Sequence, residues 1–113
     1  MSWRAQGMRT WLLQRLTAIY MLLFCFGFAI YVSGQTVSDF ASWQAVFHHP
    51  FINITTLIFF YSLLYHAWVG VRDILIDYVG LSWLRFMLWI VVTLLLVTMG
   101  VWVSMILYSV VVI

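Results

Sequence analysis

Three long uncharged stretches divide this chain. Between Arg15 and Asp39 lie 23 residues without a formal charge, between Asp39 and Arg72 lie 32, and after Arg85 lie 28 more. Crossing a hydrocarbon core of about 30 Å takes about 20 helical residues. The apolar runs are continuous and do not alternate with polar positions, which excludes a closed β-barrel. With no water in the bilayer core, each run must satisfy its own backbone as a helix. The pattern predicts an all-α membrane protein, one transmembrane domain over residues 1–113, with three transmembrane helices at about 16–32, 52–71 and 86–108.

The first loop, residues 33–50, carries a weaker pattern. Phe40, Trp43, Val46 and Phe47 fall on one helical face behind Ser38 as a cap. This predicts a short helix lying in the membrane interface. His48, His49 and Pro50 lead into the second span. Adjacent histidines suggest a metal site, but i,i+1 residues on a helix do not face each other. The pair is read as an interfacial turn. No internal repeat is visible, and three spans do not divide into the inverted halves of a transporter.

Composition agrees with the pattern. Of 113 residues, 66% are hydrophobic and only 7% charged, against about a quarter charged in a soluble domain. Five scattered arginines make no basic face, so nucleic acid is not an expected partner. The single cysteine, Cys25, lies in an apolar run and has no partner for an intrachain disulfide. Arg4, Arg9 and Arg15 precede the first span, and Val32-Ser33-Gly34 looks like a small-residue cleavage site. The apolar run exceeds the usual 7–15 residues of a signal peptide, so a retained span is expected. The loop 33–50 and the tail after Arg85 hold no cation, while Arg72 and Arg85 bound the second loop. The positive-inside rule then places the N-terminus in the cytoplasm and the C-terminus outside.

Polar residues are costly inside a membrane and mark function. They concentrate on the second span. At about 100° per residue, with His66 at zero, Ser62 falls at about −40°, Gly70 at +40°, Asp73 at −20° and Asp77 at +20°. Thr55 and Phe59 extend this stripe. Such a face should point at a partner, a cofactor or water. His66 lies about 9 Å deeper than Arg72, inside the hydrocarbon. Neutral imidazole is a good ligand for haem iron, and Gly70 leaves room for a flat macrocycle. The competing reading is a histidine bonded to a neighbouring helix. No second histidine shares this face, so a second axial ligand must come from another subunit.

The remaining polar groups carry open alternatives. Asp73 and Asp77 are like charges at i,i+4 and need a cation or water. Arg72, at about −120°, does not face them well. Arg15, placed at the same depth at the start of the first span, either pairs with them, meets an anionic cofactor group such as a propionate, or snorkels to the headgroups. Tyr78 is a hydrogen-bond donor at the interface or a residue of the aromatic belt. Trp3, Trp11, Trp68, Trp83 and Trp89 supply candidates for that belt. In the third span, Gly100 and Ser104 form a small-xxx-small pair suited to close packing. Thr93 and Thr98 are expected to bond their own backbone.

The run His66-Ala-Trp-Val-Gly-Val-Arg-Asp-Ile-Leu-Ile-Asp-Tyr-Val79 resembles the signature of the smaller membrane-anchor subunit of bacterial succinate dehydrogenase, complex II. That signature reads approximately His-x-x-x-Gly-x-x-x-x-x-x-Asp-Tyr. Arg15-Leu-Thr-Ala-Ile19 looks like the family's Arg-x-Thr-Ala-Ile start. The likeness covers most of the chain, and the segment 66–79 is its specific part. The resemblance implies that His66 is an axial ligand of haem b, with the opposite ligand on the larger cytochrome b anchor subunit. It implies that Tyr78 hydrogen-bonds a ubiquinone carbonyl, that Asp77 is the carboxylate beside the quinone pocket, and that Arg15 lies close to the haem propionates. It also implies a flavoprotein subunit that oxidises succinate, an iron–sulfur subunit that passes electrons on, and a place in the bacterial inner membrane. Arg72 falls where relatives vary and inherits no role. Gly80-Leu81-Ser82 departs from relatives just after the tyrosine.

Three rival readings stand beside this one. A small multidrug exporter needs four spans and a membrane-embedded carboxylate. This chain has no glutamate, and both candidate aspartates lie at a helix end. A structural or assembly protein of a respiratory complex would bind no haem. A fumarate reductase anchor differs mainly in the direction of electron flow.

Overall fold

The computed structural model describes residues 3–112, with side chains from Gly7 onward. The side chains of Trp3 and Arg4 therefore lie outside the described residues. Four helices follow one another: α1 (Trp3–Ser33), α2 (Phe40–His48), α3 (Pro50–Tyr78) and α4 (Ser82–Val112). No strand occurs among the described residues. Helices α1, α3 and α4 are each long and apolar enough to cross a membrane. Each is longer than the apolar run inside it: at 1.5 Å per residue the 29 residues of α3 reach about 43 Å. The ends of these helices therefore extend past the hydrocarbon.

Helix α3 is central, with α1 on one flank and α4 on another. Apolar side chains gain little by leaving lipid for each other, so shape and hydrogen bonds decide this packing. On the α4 side, a Cβ added at Gly100 would sit 3.3 Å from Leu64 Cδ1, a tight contact to which the leucine side chain would have to yield. The Tyr61 and Ser104 hydroxyls bond each other across the same seam. Lower down, Trp68 Nε1 donates to Thr93 Oγ1 at 3.0 Å, and the Trp68 and Trp89 rings stack at 4.6 Å. Trp68 and Trp89 are thus packing residues rather than belt residues. Thr93 and Thr98 bond the carbonyls of Trp89 and Leu94, both at 2.8 Å, as expected. On the α1 side, Tyr20 Oη donates to the Thr55 carbonyl at 2.7 Å, and Phe24 stacks on Phe59 at 4.6 Å. Both seams are antiparallel. The start of α1 and the α3–α4 connector therefore share one end of the bundle.

The interfacial helix forms, with one correction. Its N-cap is Asp39, not Ser38: Ser42 N donates to Asp39 Oδ1 at 2.9 Å, and Ser42 Oγ accepts from Asp39 N at 3.1 Å. This reciprocal capping box satisfies two backbone donors that Ser38, one residue earlier, leaves unbonded. Val46 is buried, and Trp43 and Phe47 pack edge-on to each other beside Phe28. Phe40 turns outward and is exposed. Asn53, absent from the predicted polar set, ties the end together. Its Nδ2 donates to the Phe47 carbonyl at the end of α2 (3.0 Å) and to the Leu107 carbonyl of α4 (2.9 Å). His49 caps α3, its Nδ1 accepting from Phe51 N at 3.2 Å, ahead of Pro50 in the first turn. His49 serves both helices, as the C-cap of α2 and the N-cap of α3, while His48 is the last residue of α2.

The cap makes α2 sensitive to acid. The backbone N–H of Ser42, followed by its side chain, holds the Asp39 carboxyl below the usual carboxylate range. A folded-state pKa below the unfolded one means that the cap stabilises α2 above the ordinary carboxylate pKa. That contribution is lost as pH falls through the lowered value. Amide exchange in residues 40–48 should therefore accelerate, beyond its intrinsic pH dependence, as pH falls below the ordinary carboxylate range, and Asp39→Asn should flatten that change.

Candidate functional site

The predicted stripe on α3 divides in two. Its upper part, Thr55, Phe59 and His66, packs against α1 through the contacts above. Its lower part, Asp73 and Asp77, is exposed. Between them, a Cβ built on Gly70 meets nothing within 4 Å, so space opens one turn below His66.

His66 is half-buried and held by two α1 residues. Its Nδ1 lies 3.4 Å from Thr17 Oγ1, and its carbonyl accepts from Gln14 Nε2 at 3.3 Å. Thr17 has one hydroxyl proton, and that proton is directed at the α1 carbonyls of Leu13 (2.8 Å) and Gln14 (3.0 Å). Toward the imidazole, the Thr17 oxygen is therefore an acceptor. This assigns the ring proton to Nδ1 and leaves the Nε2 lone pair free. A neutral imidazole fixed by a hydrogen bond on one nitrogen and open on the other is the arrangement of a metal-ligating histidine. Gln14 Oε1 is buried without a donor among the described residues, so the polar set around His66 is incomplete among them.

Arg15 does not pair with the aspartates, which corrects its expected depth. Gln14 and Thr17, on either side of it in sequence, both touch His66, so Arg15 is level with the imidazole. Asp73 and Asp77 lie about 10 and 16 Å further along α3. The Arg15 guanidinium instead lies over the Trp11 ring, 5.3 Å from its centroid. No carboxylate among the described residues forms an ion pair with it. Asp73 is taken by Arg72, at 3.4 Å, contrary to the angular expectation. Helical angles place Cβ atoms, and a long arginine side chain reaches around them. At 39% and 60% side-chain exposure, this pair contributes little to stability.

Asp77 and Tyr78 form the last turn of α3. Both are exposed, Tyr78 at 82%, and neither makes a hydrogen bond or ion pair among the described residues. The chain brings His66 and Arg15 to one level and sets Asp77 and Tyr78 about 17 Å away, at the helix end. It supplies no walls around the tyrosine. Thr17 and Gln14 were absent from the predicted site. The signal for Thr17 was its place in Arg15-Leu-Thr-Ala-Ile19; nothing local marks Gln14. No cluster of three or more metal-binding side chains occurs among the described residues.

Comparison with known proteins finds a family for the chain as a whole. The model of the succinate dehydrogenase/fumarate reductase transmembrane subunit family matches residues 1–111. The succinate dehydrogenase hydrophobic membrane anchor subunit of Coxiella burnetii (strain RSA 493 / Nine Mile phase I) is 35% identical over 97 residues, which is 86% of this chain and 84% of that protein. The matched region contains all three membrane-crossing helices and every residue of the candidate site. A chain of this kind is a non-catalytic subunit of its enzyme, a multi-pass anchor for subunits that carry the chemistry. This chain belongs to the succinate dehydrogenase/fumarate reductase transmembrane subunit family, as a membrane anchor.

Proposed function

We propose that this chain is the smaller anchor of a bacterial succinate:quinone oxidoreductase. In this reading it is one transmembrane unit of the cytoplasmic membrane, with its N-terminus in the cytoplasm and its C-terminus in the periplasm. The antiparallel packing supports that orientation. Arg9, Arg15, Arg72 and Arg85 all fall in the half of the bundle that holds the N-terminus and the α3–α4 connector, and the positive-inside rule assigns that end to the cytoplasm. Its partners are a flavoprotein subunit, an iron–sulfur subunit and a larger cytochrome b anchor.

The observation that carries the reading is the free Nε2 of His66, beside the open space at Gly70 and level with an unneutralised Arg15. These residues fit haem b. His66 would be one axial ligand, the larger anchor would bring the other, and Arg15 would neutralise a propionate. An arginine at this depth is costly unless an anion meets it. Bound haem would supply a one-electron carrier between the two anchors. Thr17 holds the imidazole in the ligating tautomer.

At the end of α3, the Tyr78 hydroxyl donates to a ubiquinone carbonyl. Reduction of a quinone to its quinol consumes two electrons and two protons. Asp77, exposed and beside water, holds and passes protons at the adjacent carbonyl oxygen. The exposure of both side chains supports a pocket walled by the larger anchor and the iron–sulfur subunit. Protein here supplies position and electrostatics, while cofactor and quinone do the redox chemistry.

The test is to purify the complex through a tag on this chain. All three partners should copurify, succinate should reduce ubiquinone, and the dithionite-minus-oxidised spectrum should show a low-spin b-type band. A complex with full turnover and no b-type band would remove the haem role and leave a haem-free anchor.

A further inference from the structure

A second basic site lies between α3 and α4 at the connector end. Arg72 and Arg85 line the same groove, of about 420 Å³, whose walls include Phe86 and Trp89. Arg72 reaches Asp73 only with Nη2, and its Nε is buried without an acceptor. Arg85 has no ion pair among the described residues. The groove also lies against the start of α4 at Ser82. Leu81, the residue before it, has no side-chain oxygen to cap the helix, and no acidic residue occupies the first turn. Uncapped N–H groups and the positive end of the helix dipole thus add to two guanidinium groups. Among the described residues, Asp73 is the one carboxylate that pairs with either arginine, and it pairs with Arg72 alone.

We infer that this groove binds the phosphate of an anionic phospholipid. Three observations favour a lipid over a soluble anion. Most of the lining is apolar, so it accepts acyl chain as readily as charge. Arg72 lies about 9 Å before the end of α3 and Arg85 about 4.5 Å after the start of α4, the level at which long spans emerge into headgroups. Basic pockets between helices at the cytoplasmic end of a bundle are suited to anionic headgroups. The inference is independent of the haem and quinone reading. It gives Arg72, which inherits no role from the family resemblance, a function of its own.

The experiment uses the intact complex. Native mass spectrometry should find phosphatidylglycerol retained on the wild type and lost from the Arg72→Gln/Arg85→Gln variant. In titrations of delipidated complex, the variant should bind phosphatidylglycerol about thirty-fold more weakly, from about fivefold per arginine. A photoreactive phosphatidylglycerol on wild-type complex should mark residues 72–76 and 82–89, which decides the matter even where the variant fails to assemble. Adducts confined to other segments would overturn the inference and leave the groove to a partner subunit. Equal retention of phosphatidylcholine would overturn it by removing the role of charge. Equal protection by inorganic phosphate alone would reassign the groove to a soluble anion.

Discussion

His66→Ala should remove the low-spin b-type band from complex purified through this chain, while the three long helices still insert. The magnitude follows from the count of ligands. This chain offers one free imidazole nitrogen and no other histidine, cysteine or methionine on that stretch of α3, so no neighbour can substitute. Loss of an axial ligand changes spin state or empties the site, which is a qualitative change in the spectrum. A destabilised bundle would also lose haem, and a second measurement separates the cases. Added imidazole should restore part of the band to His66→Ala, because removing the side chain opens a space beside Gly70 that is already free of contacts. A variant that keeps the wild-type spectrum would make His66 a packing residue bonded to Thr17, and Arg15 would need another anion.

The sequence exposed the architecture because charge spacing and bilayer thickness are enough to define three spans. It exposed the stripe on α3 because helical periodicity is local. Depth was the point of failure. Placing Arg15 at the start of the first span set it level with Asp73 and Asp77. Helix α1 begins at Trp3, and the neighbours of Arg15, Gln14 and Thr17, reach His66 instead. The pairing with Asp73 and Asp77 was lost with that assumption.

Contacts between helices were equally hidden. Trp68 has the composition of a belt residue, and only the position of Thr93 shows that its indole N–H is bonded inside the bundle. Asn53 has an ordinary place near a helix start. Its value comes from two carbonyls, one six and one 54 residues away, which no window of local pattern can bring together. The cap at Asp39 was missed by one residue, although Ser42 three positions later is the reciprocal partner that distinguishes it from Ser38. Gly100 was legible because small-xxx-small spacing records close approach directly, and Leu64 of α3 packs against it.

Tyr78→Phe should lower succinate–ubiquinone turnover by about 10–100-fold while leaving the b-type band and complex assembly intact. The substitution removes one hydroxyl and keeps the ring. A hydrogen bond from tyrosine to a quinone carbonyl strengthens as electrons arrive and negative charge grows on the oxygen, so its loss acts mainly on the reduced side of the reaction. At about 1.4 kcal/mol per tenfold, the expected drop corresponds to about 1.4–2.8 kcal/mol, the range for one hydrogen bond to a group gaining charge. Fold stability should not change, because the side chain is 82% exposed and bonded to nothing within the chain. That separation gives the measurement its force. A residue that only anchors the helix end in the aromatic belt would tolerate phenylalanine, and turnover would stay at the wild-type level. Succinate oxidation by an artificial acceptor that bypasses the membrane should be unaffected in either case, which confines any loss to the quinone step.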